Sequence, residues 1–145
     1  MEDRFKFRYV FEKDFGGKIG IRYKMPVFNL DDAVRSVFEN KIIEYTNFDY
    51  KLIAKNQCTG LKDKNEKVIY EGDIVKYTSK KSKTNPEKAP YTKNYKVVWQ
   101  EKYTGYNLQS KEKVNCFNLG IMTDDIEVVG NIYENKELLE DTDER

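Results

Sequence analysis

Histidine is absent from this chain of 145 residues. That removes the commonest general acid–base side chain and a leading transition-metal ligand together. Cysteine is scarce: Cys58 and Cys116 stand far apart, make no Cys-x-x-Cys pair, and read as small buried hydrophobes of a reducing compartment rather than as a disulfide. No apolar run approaches the roughly 18 residues that a membrane-spanning helix needs, so no membrane is expected among the partners. Met1-Glu2-Asp3-Arg4 lacks the basic-then-apolar plan of a signal peptide, and the expected location is cytoplasmic. There is no Gly-x-Ser-x-Gly elbow and no dinucleotide glycine pattern, and Gly16-Gly17-Lys18 lacks the spacing of a phosphate loop. An enzyme is therefore not expected, and neither a cofactor nor a metal is called for. An excess of charge of one sign is missing too, since 26 Lys and Arg face 25 Asp and Glu. No global field steers the chain to nucleic acid, and an electrostatic partner has to be sought in local patches.

What the chain has in quantity is aromatic rings, eleven Tyr and eight Phe, which cover pleated sheet well. Phe5, Phe7, Tyr9 and Phe11 alternate with Lys6, Arg8 and Val10, the period of a strand with one aromatic face. The turn Asp14-Phe15-Gly16-Gly17-Lys18 leads to a partner strand from Ile19 to Met25, making a hairpin. Asn29 is placed to cap a helix with Asp31 and Asp32 in its first turn, and Leu30, Ala33, Val34, Val37 and Phe38 form its apolar stripe. Residues 42–50 read as irregular, and Tyr50 to Ala54 as a strand running towards Cys58. The stretch from Thr59 to Lys76 then gives two short strands, a polar turn at Asp63-Lys64-Asn65-Glu66-Lys67, and a sharp entry at Glu71-Gly72-Asp73 into Ile74-Val75. Further strands are expected at Tyr95–Trp99, Val114–Met122 and Ile126–Tyr133, with turns at Tyr103–Tyr106 and Thr123–Asp125 and Trp99 in the core or on a barrel rim. Glu71 with Asp73, and Asp124 and Asp125 with Glu127, are acidic neighbours that suit either a divalent ion or the free N–H groups of a turn.

Thr59-Gly60-Leu61-Lys62-Asp63-Lys64-Asn65, Ile69-Tyr70-Glu71-Gly72-Asp73-Ile74-Val75, and Glu127-Val128-Val129-Gly130-Asn131-Ile132-Tyr133-Glu134-Asn135 followed by Glu137-Leu138-Leu139 together resemble the YopX family of phage and prophage proteins. Phe5-Lys6-Phe7-Arg8 is similar to the Lys-Phe-Arg opening of that family. Glu66 departs from it, standing where the family usually has the turn Gly, and the Lys-rich connection after Val75 is longer. The resemblance implies a phage-encoded, mainly β protein with an SH3-like small barrel in its C-terminal part, acting in the host cytoplasm, and it implies no particular activity.

The expected fold is thus mainly β (α+β). Residues 1–50 form an N-terminal hairpin-and-helix lobe, 51–134 an SH3-like β-barrel with a Lys-rich loop at 78–94, and 135–145 an acidic tail expected to fray beyond a short turn. Two functions are weighed. The first is a non-catalytic module that contacts a phage or host protein, or another copy of itself, through exposed strand edges. The second is nucleic-acid binding through the Lys-rich loop, in which Lys80, Lys81, Lys83, Lys88 and Lys93 would meet phosphates and Tyr91 and Tyr95 would stack on bases. Against the second, a charge run in a loop is often only solvated.

Overall fold

The described residues form ten strands: β1 Phe7–Asp14, β2 Ile21–Lys24, β3 Val27–Phe28, β4 Lys51–Lys62, β5 Val68–Tyr70, β6 Asp73–Thr78, β7 Thr92–Gln100, β8 Gly105–Gln109, β9 Asn115–Asn118 and β10 Ile126–Asn131. The structure is a computed structural model and describes residues 6–28 and 42–140, without the side chains of Asn115 and Cys116. The helix expected from Asn29, with its stripe Leu30, Ala33, Val34, Val37 and Phe38, lies outside the described residues. The strands form two five-stranded sheets, one in the order β2-β1-β4-β5 with β3 also on β1, the other in the order β10-β6-β7-β8-β9. The protein is mainly β, with a curled half-barrel sheet. By its contacts the chain divides into Met1–Gly60 and Leu61–Arg145.

In the first unit, β2 and β3 lie in succession along the same edge of β1, interrupted by Met25 and Pro26. Pro26 has no N–H to give, but its carbonyl still accepts from Tyr9 N at 3.0 Å. Val10 and Phe11 are neighbours in β1 and both are fully buried, so both faces of the strand are covered at this point and the single aromatic face expected there is only half of the arrangement. Phe11 meets Tyr45, ring centroids 4.8 Å apart. Residues 42–47, expected to be irregular, are helical, and Thr46 Oγ1 donates to the Ile42 carbonyl at 2.8 Å.

In the second unit, the core consists of Ile69, Val75, Tyr95, Val97, Leu108, Leu119, Met122 and Ile126. Each large aliphatic side chain buried there contributes about 1.5–3 kcal/mol. Cross-strand register aligns Val75 with Tyr95, Val97 with Leu108, and Leu108 with Phe117 on one face. Two expectations need correction. Gly105–Gln109, read partly as a turn, is strand β8. The strand foreseen over Val114–Met122 is β9 alone, because Asn118 Oδ1 accepts from Gly120 N at 2.9 Å and turns the chain into a 3-10 helix at Leu119–Ile121. Trp99 is in phase with Tyr95 and Val97 but lies near the end of β7, 42% exposed, with Tyr106 edge-on to it at 5.0 Å. The C-terminal turn is the 3-10 helix Lys136–Leu139, with Leu139 buried and the Leu138 carbonyl accepting from Asn94 Nδ2 at 2.8 Å.

Candidate functional site

Asp63, Gly72 and Asp73 in the central stretch, and Asn131 and Asn135 in the C-terminal one, serve the backbone. Asp63 is buried, and its Oδ1 accepts from Asn65 N at 2.8 Å and Lys67 N at 2.9 Å while Oδ2 accepts from Val128 N at 2.8 Å. One carboxylate thereby ties the β4–β5 turn to β10, and Lys64 N adds a bond to the Ile126 carbonyl at 3.1 Å. Burial pushes the Asp63 carboxyl up, but the N–H groups of Val128, Lys67 and Asn65 and the Lys67 charge outweigh it and hold the group below its ordinary value. Gly72 turns the chain at φ 84°, where its N–H reaches the Val97 carbonyl and its own carbonyl accepts from Ile132 N, both at 2.9 Å. Asp73, buried, accepts from Tyr70 N at 2.9 Å. Asn131 Oδ1 accepts from Tyr133 N at 3.0 Å and Glu134 N at 2.9 Å, and Asn135 Oδ1 accepts from Asn131 N at 3.3 Å.

Two of the other acidic neighbours, Asp125 and Glu127, face lysines. Asp125 Oδ1 lies 3.4 Å from Lys80 Nζ, and Glu127 Oε2 lies 3.7 Å from Lys64 Nζ. Among the described residues no group of three or more His, Cys, Asp or Glu is gathered to hold a metal ion.

The Lys-rich connection is a hairpin loop whose strands run further into it than composition suggested. Thr78 pairs with Thr92, and Ser79 and Tyr91 exchange bonds at 2.9 Å. Lys80, Lys81, Lys83 and Lys88 are exposed on the loop, whereas Lys93 is half-buried in β7 with Nζ 5.8 Å from the Tyr95 ring centroid. Tyr95 does not have the stacking role expected of it. At 3% exposure it belongs to the core, against Phe117 at 5.9 Å and Tyr77 at 6.4 Å, and it offers no face to a base. Tyr91 is half-buried at the edge of this aromatic group, 6.0 Å from Tyr77. Burial first, and then the charges of Tyr91 and Asp125, push the Tyr77 hydroxyl up from its usual value.

A second cationic surface, which composition does not reveal, is assembled by register on the first sheet. Lys13 stands directly opposite Arg22, Phe11 opposite Lys24, and Tyr9 opposite Lys55. Strand alternation puts all four cations on the face that carries Phe7, Tyr9 and Phe11. Lys55 Nζ is 4.2 Å from the Phe7 ring centroid, and Lys13 Nζ is 4.8 Å from that of Phe15, with Tyr50 edge-on to Phe15 at 6.4 Å. Lys13 also donates to the Phe48 carbonyl at 2.7 Å. Tracing alternation through β1, β2 and β4 in register was the signal that would have found this group.

Fold and motif residues define a small, mainly β protein with a half-barrel whose distinctive side chains are spent on turns and strand junctions. The chain matches the family model described as YopX protein over residues 22–140, and it belongs to the YopX family. A solved structure, the crystal structure of protein EF1440 from Enterococcus faecalis, is similar at 23% identity over 88% of this chain and 74% of that one, with a TM-score of 0.39. Comparison with curated proteins gives no match.

Proposed function

We propose that this protein is a phage or prophage accessory protein that acts without catalysis, by associating with a second copy of itself along the edge of its N-terminal sheet. The observation that carries this reading is the β2–β3 edge. Among the described strands it pairs only with β1, and it bears Ile21 at 48% and Val27 at 44% exposure. In register with Asp14 and Arg8, these two apolar side chains fall on one face of the sheet. A sheet edge that carries exposed apolar side chains can accept another strand. Lys24 and Pro26 restrict the pairing to a short run, since charge and a missing N–H both oppose edge addition. The association is accordingly reversible rather than obligate.

Sedimentation velocity over a concentration series tests it. The expected result is a mass that rises with concentration, and a shift to monomer when exposed Ile21 and Val27 become Ile21→Asp and Val27→Asp. A monomer at every concentration would overturn the reading.

A further inference from the structure

We propose that the face of the N-terminal sheet carrying Lys13, Arg22, Lys24 and Lys55 binds single-stranded nucleic acid. Arg22, Lys24 and Lys55 are exposed. None of the four cations makes an ion pair among the described residues. Lys13 and Arg22 are directly opposed across β1 and β2, an arrangement of like charges that weakens a sheet unless an anion is brought to it. No Asp or Glu occupies this face of β1, β2 or β4, because Glu12 and Asp14 alternate to the other one. Phe11 is buried against Tyr45, so the open cations are Arg22 and Lys24, about 7 Å apart along β2, and Lys55 on β4.

The rings decide between polyanions. Phe15 and Phe48 are 44% and 64% exposed, and Lys13 joins them, its Nζ lying against the Phe15 ring and bonded to the Phe48 carbonyl. An acidic peptide would neutralise the cations and leave these rings in water. An unpaired base offers a π-face to them while its phosphate meets the adjacent ammonium or guanidinium, which is how stacking and charge combine in single-strand binding. This face is distinct from the Lys80–Lys93 region, whose Tyr95 lies in the core.

Fluorescence anisotropy with labelled oligothymidylate, the RNA of matching sequence and a duplex of the same length, titrated with the full chain at several salt concentrations, tests the proposal. Four phosphate contacts on a single strand give a slope of log K against log salt of about −3. The triple variant Arg22→Glu, Lys24→Glu and Lys55→Glu is expected to lose at least about ten-fold in affinity, because three of the four phosphate contacts become repulsive. Changing Lys80, Lys81 and Lys83 to Ala should leave binding within about two-fold. Lys55→Glu alone, on β4 and away from the self-associating edge, should weaken nucleic-acid binding without altering the sedimentation profile. Should the triple variant not fold, amide shifts in the unaltered protein answer the question, with perturbation expected at residues 9–24 and 48–55 rather than 79–91. Absence of binding at low salt, equal affinity for duplex, displacement by polyglutamate at equal charge, or shifts confined to 79–91 would each overturn the proposal.

Discussion

Changing Asp63 to Asn alters one buried carboxylate without altering its size, and the hydrogen bonds it makes set the cost. Three backbone N–H groups converge on this carboxylate, two on Oδ1 and one on Oδ2. An amide has only one acceptor end. If its oxygen keeps Asn65 and Lys67, its NH2 points at the Val128 N–H, so one charge-assisted bond is lost, a buried donor is stranded and the other two bonds lose their charge. Losing one such bond and stranding its donor costs about 2–3 kcal/mol. The same carboxylate makes stability depend on pH. Its folded pKa is depressed, so its contribution is fully present above the unfolded value of 3.8 and is lost as pH falls through the lower folded value. Urea denaturation of the parent and Asp63→Asn proteins at pH 7, and again at stepwise lower pH, should therefore show a gap that is widest at neutral pH and closes progressively below about pH 5. Amide exchange at Val128 should accelerate in the variant. A neutral-pH gap under about 0.5 kcal/mol, or one that does not narrow on acidification, would refute the role of Asp63 as a charged latch.

Glu66 adopts φ 65° in the turn that Asp63 closes, a conformation that costs a residue with a Cβ about 1–2 kcal/mol. Set against the greater unfolded freedom of Gly, Glu66→Gly should raise stability by about 0.5–1 kcal/mol in thermal melts. Gly130 is confined for another reason: a Cβ there would overlap Asn135 Oδ1 and stand 2.7 Å from Asn135 Cγ. Gly130→Ala should displace that side chain from Asn131 N and cost about 1–3 kcal/mol in urea denaturation. Removal of residues 136–145 takes away buried Leu139 and the bond from Asn94 to the Leu138 carbonyl. It should cost about 2–4 kcal/mol by the same measurement.

Most strands were legible because their alternation was clear and their ends were punctuated. Asp63 to Lys67 and Glu71 to Asp73 declared two turns, and the pattern around Ile74 and Val75 declared β6. β8 was not legible, because Gly105 carries a turn signal and the buried Asn107 breaks the apolar rhythm of so short a strand. The stretch from Val114 to Met122 misled in the opposite sense. Its apolar residues suggested one strand, but a single side chain, Asn118, redirects it. Trp99 obeys strand phase and is nevertheless exposed, since phase assigns a face and not the distance from the end of the core. The Lys-rich segment was visible as composition. Its division between a loop and half-buried Lys93 depends on where β6 and β7 stop pairing, which cross-strand contacts decide.

The side chains that make the family recognisable are the wrong place to look for its activity. Asp63, Gly72, Asp73, Gly130, Asn131 and Asn135 are held to their identities by backbone N–H groups, a left-handed turn and a close side-chain approach, all of which operate in the folded chain with no ligand present. Membership in the YopX family therefore carries the scaffold to this chain and leaves its surface chemistry to be argued separately. That surface chemistry is discontinuous in sequence: Lys13, Arg22, Lys24 and Lys55 are brought to one face only by pairing of β1 with β2 and β4. Glu12 and Asp14 separate them in the sequence and cancel them in any local charge count. A sheet sorts neighbours in sequence onto opposite faces, so a chain with a net charge of +1 can place only cations among the charged side chains that β1, β2 and β4 turn to one face.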